Sequence, residues 1–124
     1  MKLPLITIIS VIVLLLAWVV YSQINRNPDL GAKLNPPRNL TVVGSAGSAK
    51  LAWEGTESID VADYNIYQSL DPKKNYRKIA TVSETRYQAK DLQPNQTYYF
   101  QVTASLNQTA ESNPSNTVSV KIEK

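Results

Sequence analysis

The sequence predicts an all-β domain, a seven-stranded antiparallel sandwich, preceded by one N-terminal hydrophobic helix. Three observations support this fold class. Residues 5–20 form an almost unbroken apolar block, whereas from residue 38 onward apolar and polar residues alternate in short runs. Turn residues separate these runs, and no apolar stretch after residue 38 has helical spacing. A single sheet of seven such strands would leave one apolar face in water, so two packed sheets are expected.

The N-terminal segment, residues 1–22, is predicted to be a transmembrane signal-anchor or a signal peptide. Its apolar block is interrupted only by the weakly polar Thr7 and Ser10. As a helix the block is about 24 Å long. A bilayer core is about 30 Å thick, so a span would need all of residues 3–21.

Two fates of this segment remain open. Trp18 and Tyr21 stand where interfacial aromatic residues are expected, which favours a retained, single-pass anchor. The small residue Ser22 after the apolar run is the alternative, since cleavage there would release a secreted domain. The charge of Lys2 favours an N-terminus on the inner, cytoplasmic side of the cytoplasmic membrane and a C-terminal domain on its outer side.

Residues 23–35 are predicted to be a linker. They show no period of 2 or 3.6 and include Pro28 and Gly31, which are typical of irregular connections. The domain is expected to follow over residues 36–124.

Seven alternating runs make up the predicted strands. They are residues 38–44, 49–55, 61–69, 76–83, 85–92, 97–105 and 116–124. Turn signals such as Gly55-Thr56 and Asp71-Pro72 separate them. About 90 residues are enough for one hydrophobic core and not for two.

The composition argues against most catalytic and metal-binding classes. The chain of 124 residues contains no Cys and no His, so thiolate nucleophiles, disulfides and the commonest zinc ligands are absent. From Asn35 onward the chain has ten Lys or Arg residues and nine Asp or Glu residues, so the net charge of this part is close to zero. It therefore lacks the strong positive charge that is typical of nucleic-acid-binding domains. We expect a non-enzymatic protein without cofactors.

The order of these motifs resembles the fibronectin type III domain. The resemblance covers residues 36–124 and includes "PPRNLTV", "VADYNIYQS", "LQPNQTYYFQVTA" and "ESNPSNTVSV". It implies an immunoglobulin-like sandwich with Tyr98 as the tyrosine corner, its hydroxyl bonded to backbone a few residues upstream. The expected structural core residues are Leu51, Trp53, Tyr64, Ile66, Leu92, Pro94, Tyr98, Phe100 and Val102.

Charged residues form two clusters that are candidate interaction sites. The basic cluster consists of Lys73, Lys74, Tyr76, Arg77 and Lys78. The acidic cluster consists of Glu54, Glu57, Asp60 and Asp63. The resemblance places them at opposite ends of the sandwich, where the basic cluster could bind an acidic polymer or protein, or the acidic end of a second copy. The alternative is that these charges only keep a small domain soluble.

Other short motifs carry weaker signals. Asn39, Asn95 and Asn107 each begin a glycosylation sequon, although turn chemistry also favours Asn at such positions. The acidic cluster lacks the alternating ligand pattern of a calcium loop. The loop "SLNQTAESNPS" contains no Arg-Gly-Asp, so an integrin-type adhesion contact is not indicated.

Three functions are compatible with these features. The first is a membrane-anchored extracytoplasmic interaction or adhesion module that binds a protein or a surface polymer. The second is a structural subunit of a membrane complex or surface filament, with the chain as an oligomer. The third is a secreted binding module released after signal cleavage.

Overall fold

The computed structural model describes residues 4–25, 34–56, 61, 63–106 and 110–124. Helix α1 (Leu5–Asn25) continues beyond Ser22, because the nearest helix-breaking residue in the sequence, Pro28, comes later. The side chains of residues 4–20 are all exposed, and within the helix the Ser10 hydroxyl donates to the carbonyl of Ile6 at 3.0 Å. Across the described ranges, no helix reaches both the length and the mean hydropathy required to span a membrane.

The rest of the described chain is a sandwich of two antiparallel sheets, so the predicted fold class is confirmed. The strands are β1 (Arg38–Ser45), β2 (Ser48–Glu54), β3 (Asp63–Ser69), β4 (Arg77–Val82), β5 (Arg86–Ala89), β6 (Thr97–Leu106), β7 (Ala110–Glu111) and β8 (Val118–Lys121). One sheet has the order β1-β2-β5. In the other the order is β4-β3-β6-β7, and β8 also pairs with β6.

The eighth strand is β7, which lies before the predicted last strand of residues 116–124 and belongs to none of the predicted strands. Pro114, which lies between β7 and β8 along the chain, has no backbone N–H and interrupts the regular pairing of this segment with β6. Two buried serines replace the missing ladder: Ser112 and Ser115 donate their N–H groups to the carbonyls of Ala104 and Val102, both at 2.8 Å. Their hydroxyl oxygens accept from the N–H groups of the same two residues at 2.8 and 3.0 Å. The segment therefore stays attached to β6 across the interruption.

The core lies between the sheets around Trp53 and Tyr64, whose rings meet edge to face with centroids 5.7 Å apart. Because successive side chains of a strand point to opposite faces, every second side chain of β3 and β6 points into this space. The buried hydrophobic cluster comprises Leu40, Ala49, Leu51, Trp53, Tyr64, Ile66, Ala89, Leu92, Tyr98, Phe100, Val102, Ala104 and Ile122.

Pro94 is the expected core residue that does not lie in this cluster. It is exposed, because it occupies the turn before β6 and is followed by Asn95 with a φ of 64°. Its fixed φ suits a turn position, so its contribution is to the backbone and not to the core. Beside this turn, the hydroxyl oxygen of Tyr98 accepts a hydrogen bond from the N–H of Gln93 at 2.9 Å.

Burial of side chains begins before the predicted domain boundary at residue 36. Leu34 is only 6% exposed and belongs to the predicted linker. Pro37 is also fully buried. The side chains that close this end of the sandwich therefore include residues whose sequence shows no strand periodicity.

Candidate functional site

The predicted basic cluster lies on the connection from β3 to β4 and on the first residues of β4. The connection is held by its own polar groups. The Ser69 hydroxyl donates to the carbonyl of Lys74 at 2.6 Å and accepts from the N–H of Asp71 at 3.0 Å. The Asp71 carboxylate accepts from the N–H of Lys73 at 2.8 Å. These bonds, with Asn75 at a φ of 63°, fix the backbone that presents the basic side chains.

The four cations of this cluster are exposed to solvent. Within the described residues, none of them forms a salt bridge with a carboxylate. The Tyr76 ring packs back onto the connection, and its hydroxyl donates to the carbonyl of Pro72 at 2.8 Å. Burial raises the pKa of Tyr76, and the negative charge of Asp71 adds to this effect. Among the described residues the cations therefore form no salt bridge, whereas the tyrosine is part of the supporting structure.

A β-bulge decides which face of the sheet each basic residue of β4 occupies. The register of β3 and β4 shifts between Ile66 and Tyr67, so Ile79 is the extra residue. Lys78 consequently lies opposite Tyr67 on the outer face of the five-stranded sheet, and Arg77 lies opposite Gln68. Arg77 lines a cleft between the edges of the two sheets. Sequence alternation predicts that Arg77 and Lys78 lie on opposite faces, but not which of the two lies on the outer face, because the bulge exchanges them.

The outer face beside Lys78 carries a polar network that the sequence did not reveal. One oxygen of the Glu111 carboxylate accepts hydrogen bonds from the Asn65 amide at 3.0 Å, from the Tyr67 hydroxyl, and from the Thr103 hydroxyl at 2.5 Å. These residues come from β3, β6 and β7. The network joins the short strand β7 to the centre of the sheet.

The protonation equilibria of this network favour a charged carboxylate. Burial by itself would raise the pKa of Glu111, but the hydrogen bonds from Thr103, Tyr67 and Asn65, together with the charge of Lys78, lower it below its ordinary value. For Tyr67, burial and the neighbouring Glu111 carboxylate raise the pKa to about 12. Glu111 is therefore ionised and Tyr67 neutral near pH 7.

The cleft that Arg77 lines has a volume of about 480 Å³. It lies where β4 and β5, the edge strands of the two sheets, approach one another. Ile79 and Tyr87 supply half-buried apolar walls, and Arg77, Lys90 and Asp91 supply charges. The cleft thus combines an apolar interior with a mainly positive rim.

The predicted acidic cluster is only partly described. Glu54 is exposed at the end of β2, and Asp63 pairs with Ser105 on β6. Glu57 and Asp60 lie outside the described residues. Among the described residues no group of three or more acidic side chains could hold a metal ion.

The described sequons are located in left-handed backbone positions. Asn39 and Asn95 are exposed, with φ of 53° and 64°. Asn39 belongs to the irregularity of β1, and Asn95 to the turn before β6. Asn107 lies outside the described residues.

The paired antiparallel sheets, the interrupted pairing of β7 and β8 with β6, and the bonded Tyr98 define an immunoglobulin-like β-sandwich. A model of the fibronectin type III domain matches residues 35–121. The chain therefore belongs to the fibronectin type III family. Domains of this family are generally non-catalytic, are typically extracellular and commonly mediate protein interactions.

Several solved structures are similar to this chain. Domains of titin match with a TM-score of 0.66 and 23% identity, over 73% of this chain and 32% of that chain. An Fn3-like protein from Clostridium thermocellum matches with a TM-score of 0.64 and 22% identity, over 75% and 97%. These two similarities show the fold alone. None of the curated protein sequences compared with this chain gives a significant match.

A third structure, a β-1,2-glucanase from Parabacteroides distasonis, matches with a TM-score of 0.66 and 28% identity. The match covers 73% of this chain and 13% of the glucanase. This chain thus spans less than a third of the length of the titin fragment and a still smaller part of the enzyme.

Proposed function

We propose that this protein is a non-enzymatic, membrane-anchored interaction module. Helix α1 holds the sandwich at the outer side of the cytoplasmic membrane, with its N-terminus inside. The sandwich binds an acidic partner, either a protein or a surface polymer, through the basic cluster of residues 73–78.

The apolar composition of α1 supports the anchoring role. All described side chains of the helix are exposed, including Leu14 at 70% and Trp18 at 64%. A helix that is apolar on all sides requires an apolar environment. Lipid provides that environment for a helix that extends from a soluble domain.

Extraction and N-terminal determination test the anchor. Membranes from cells that produce the full chain are washed with alkaline carbonate, and the first residues of the retained protein are determined. We expect an unprocessed chain in the membrane pellet. A chain that begins at Gln23 in the soluble fraction would refute the anchor and favour the secreted module.

The exposed cations of the basic cluster carry the binding proposal. Lys73, Lys74, Arg77 and Lys78 form no salt bridge with any described carboxylate, and although the charge of Lys78 also acts on Glu111, the cluster has an excess of exposed positive charge for a partner. The hydrogen bonds of Ser69 and Asp71 hold the connection in one conformation. A pre-formed loop loses less entropy on binding than a flexible one.

Binding of the full chain in detergent to polyglutamate tests this role. The test variant carries Lys73→Glu, Lys74→Glu and Lys78→Glu. Its control carries Lys50→Glu, Lys121→Glu and Lys124→Glu, which change the net charge equally at exposed positions elsewhere. We expect the test variant to bind at least about tenfold more weakly than the control. Equal loss in both variants, or no binding by the wild type, would refute the basic cluster as the site.

Size in detergent separates this function from that of a structural subunit. A monodisperse monomer is expected for an interaction module. A defined oligomer formed by the purified chain would instead support an assembly role.

A further inference from the structure

The edge strand β4 has unpaired backbone groups along one side. Within the described residues, β4 pairs only with β3. An edge strand exposes a row of N–H and C=O groups that another extended chain can bind. The strand is six residues long, which is sufficient for several inter-strand hydrogen bonds.

The neighbouring cleft provides space for side chains of such a chain. It lies between β4 and β5, with Ile79 and Tyr87 in its walls. Leu70 also lines it and is 62% exposed. Among the described residues after α1, Leu70 and Val43 are the large hydrophobic side chains with this degree of exposure. Every second side chain of a strand paired with β4 would point toward these apolar groups.

The charges around β4 specify the occupant. Lys78 projects on the outer face, and Arg77 and Lys90 lie at the rim of the cleft. Lysine on an edge strand disfavours pairing with a second copy of the same strand, because like charges would then face one another. The same lysine attracts a strand with acidic side chains. Charge complementarity thus favours an acidic segment from another protein.

We propose that β4 binds an extended, acidic segment of a partner protein as an added strand of the five-stranded sheet. Acidic side chains of the segment face Lys78, and alternate apolar side chains enter the cleft beside Ile79 and Tyr87. This inference rests on the proposed function, because it uses part of the basic cluster. It specifies a peptide partner that is recognised through its backbone, which a polymer bound by charge alone would not require.

A pair of backbone-methylated peptides tests the added strand. The parent probe is an end-capped heptapeptide that alternates glutamate and valine. One derivative carries N-methyl groups on the odd residues and the other on the even residues. In an added strand only alternate N–H groups face the sheet, so one derivative loses these hydrogen bonds and the other retains them.

We expect the parent peptide to bind the full chain and one methylated derivative to bind at least about tenfold more weakly than the other. A peptide with the same residues in two blocks, glutamates first, should also bind more weakly because it lacks alternation. Equal affinities of both methylated derivatives would overturn the added strand and leave the proposed acidic-partner function in place. Failure of both the parent peptide and polyglutamate to bind would overturn both.

Protein variants locate the binding edge. Lys78→Glu should weaken the binding of the parent peptide at least about tenfold. Lys50→Glu, on the outer face of the other sheet, should leave its affinity within about twofold, because rim charges far from an interface contribute little. Equal effects of the two substitutions would place the peptide away from β4.

Discussion

The two sides of the sandwich at which the sheets meet differ in how they are closed. On the side of β1 and β8, the Asn116 side chain accepts from the N–H of Leu40 at 2.9 Å and donates to its carbonyl at 3.0 Å. The backbone of Gly44 on β1 packs so closely that a Cβ there would lie 2.6 Å from Cγ2 of Val120 on β8. We call this side the closed edge.

On the side of β4 and β5, no such side-chain clasp occurs in the part of the chain that the structure describes. The cleft of about 480 Å³ separates the two strands instead. We call this side the open edge. One side is thus closed by direct contacts between the sheets, whereas the other leaves a strand edge accessible, and we propose that the first serves stability and the second binding.

The core between the two edges should dominate stability. Trp53→Ala removes a ring that is 6% exposed and packs edge to face on Tyr64. We expect the free energy of unfolding to fall by about 3–5 kcal/mol, enough to unfold many domains of this size. Urea denaturation followed by circular dichroism measures this change. A loss below about 1 kcal/mol would contradict the core assignment.

The clasp at the closed edge should contribute a smaller amount. Asn116→Ala removes both bonds to Leu40 and leaves backbone groups of that residue without this partner. We expect a loss of about 1–3 kcal/mol in the free energy of unfolding. Asn113→Ala is the matched control, because Asn113 is exposed in the same segment. Equal effects of the two substitutions would show that the clasp does not stabilise the closed edge.

The Glu111 network should make stability dependent on pH. The pKa of Glu111 is lowered in the folded state. The contribution of its carboxylate to stability is therefore fully present above the unfolded pKa and is lost as the pH falls through the folded pKa. Glu111→Gln retains an acceptor oxygen but cannot titrate. We expect the stability difference between wild type and Glu111→Gln to shrink as the pH falls from about 6 to about 3. Glu123→Gln, an exposed carboxylate near the C-terminus, is the control, and a similar pH profile for it would refute the role of Glu111.

Substitutions at the open edge should have the smallest effect on stability. Lys78→Gln changes an exposed side chain without placing a second carboxylate beside Glu111, and we expect its free energy of unfolding to stay within about 0.5 kcal/mol of the wild type. Its affinity for the acidic peptide should nevertheless fall. A large destabilisation would mean that the open edge is also structural, which would remove the contrast between the two sides.

The strands and most of the core follow from sequence because they depend on short-range alternation. Trp53, Tyr64 and Phe100 stand in such runs, and all three are buried. Pro94 shows the limit of this reasoning, since a turn motif predicts backbone geometry and not the burial of a ring. Leu34 shows another limit, because it is buried without any strand periodicity.

The candidate binding surface could be predicted only in part. The basic residues are visible as a sequence cluster, but the bulge at Ile79, which places Lys78 and not Arg77 on the outer face, is a property of strand pairing. The Glu111 network joins residues as far apart as Asn65 and Glu111, 46 positions along the chain. Only the tertiary fold brings such residues together.

Hydrogen exchange of backbone amides, measured with and without the acidic heptapeptide, tests the contrast between the two edges most directly. We expect added protection at alternate amides of β4 and unchanged protection in β1 and β8. Protection that rises equally at both edges, or at neither edge while the peptide is bound, would contradict this contrast.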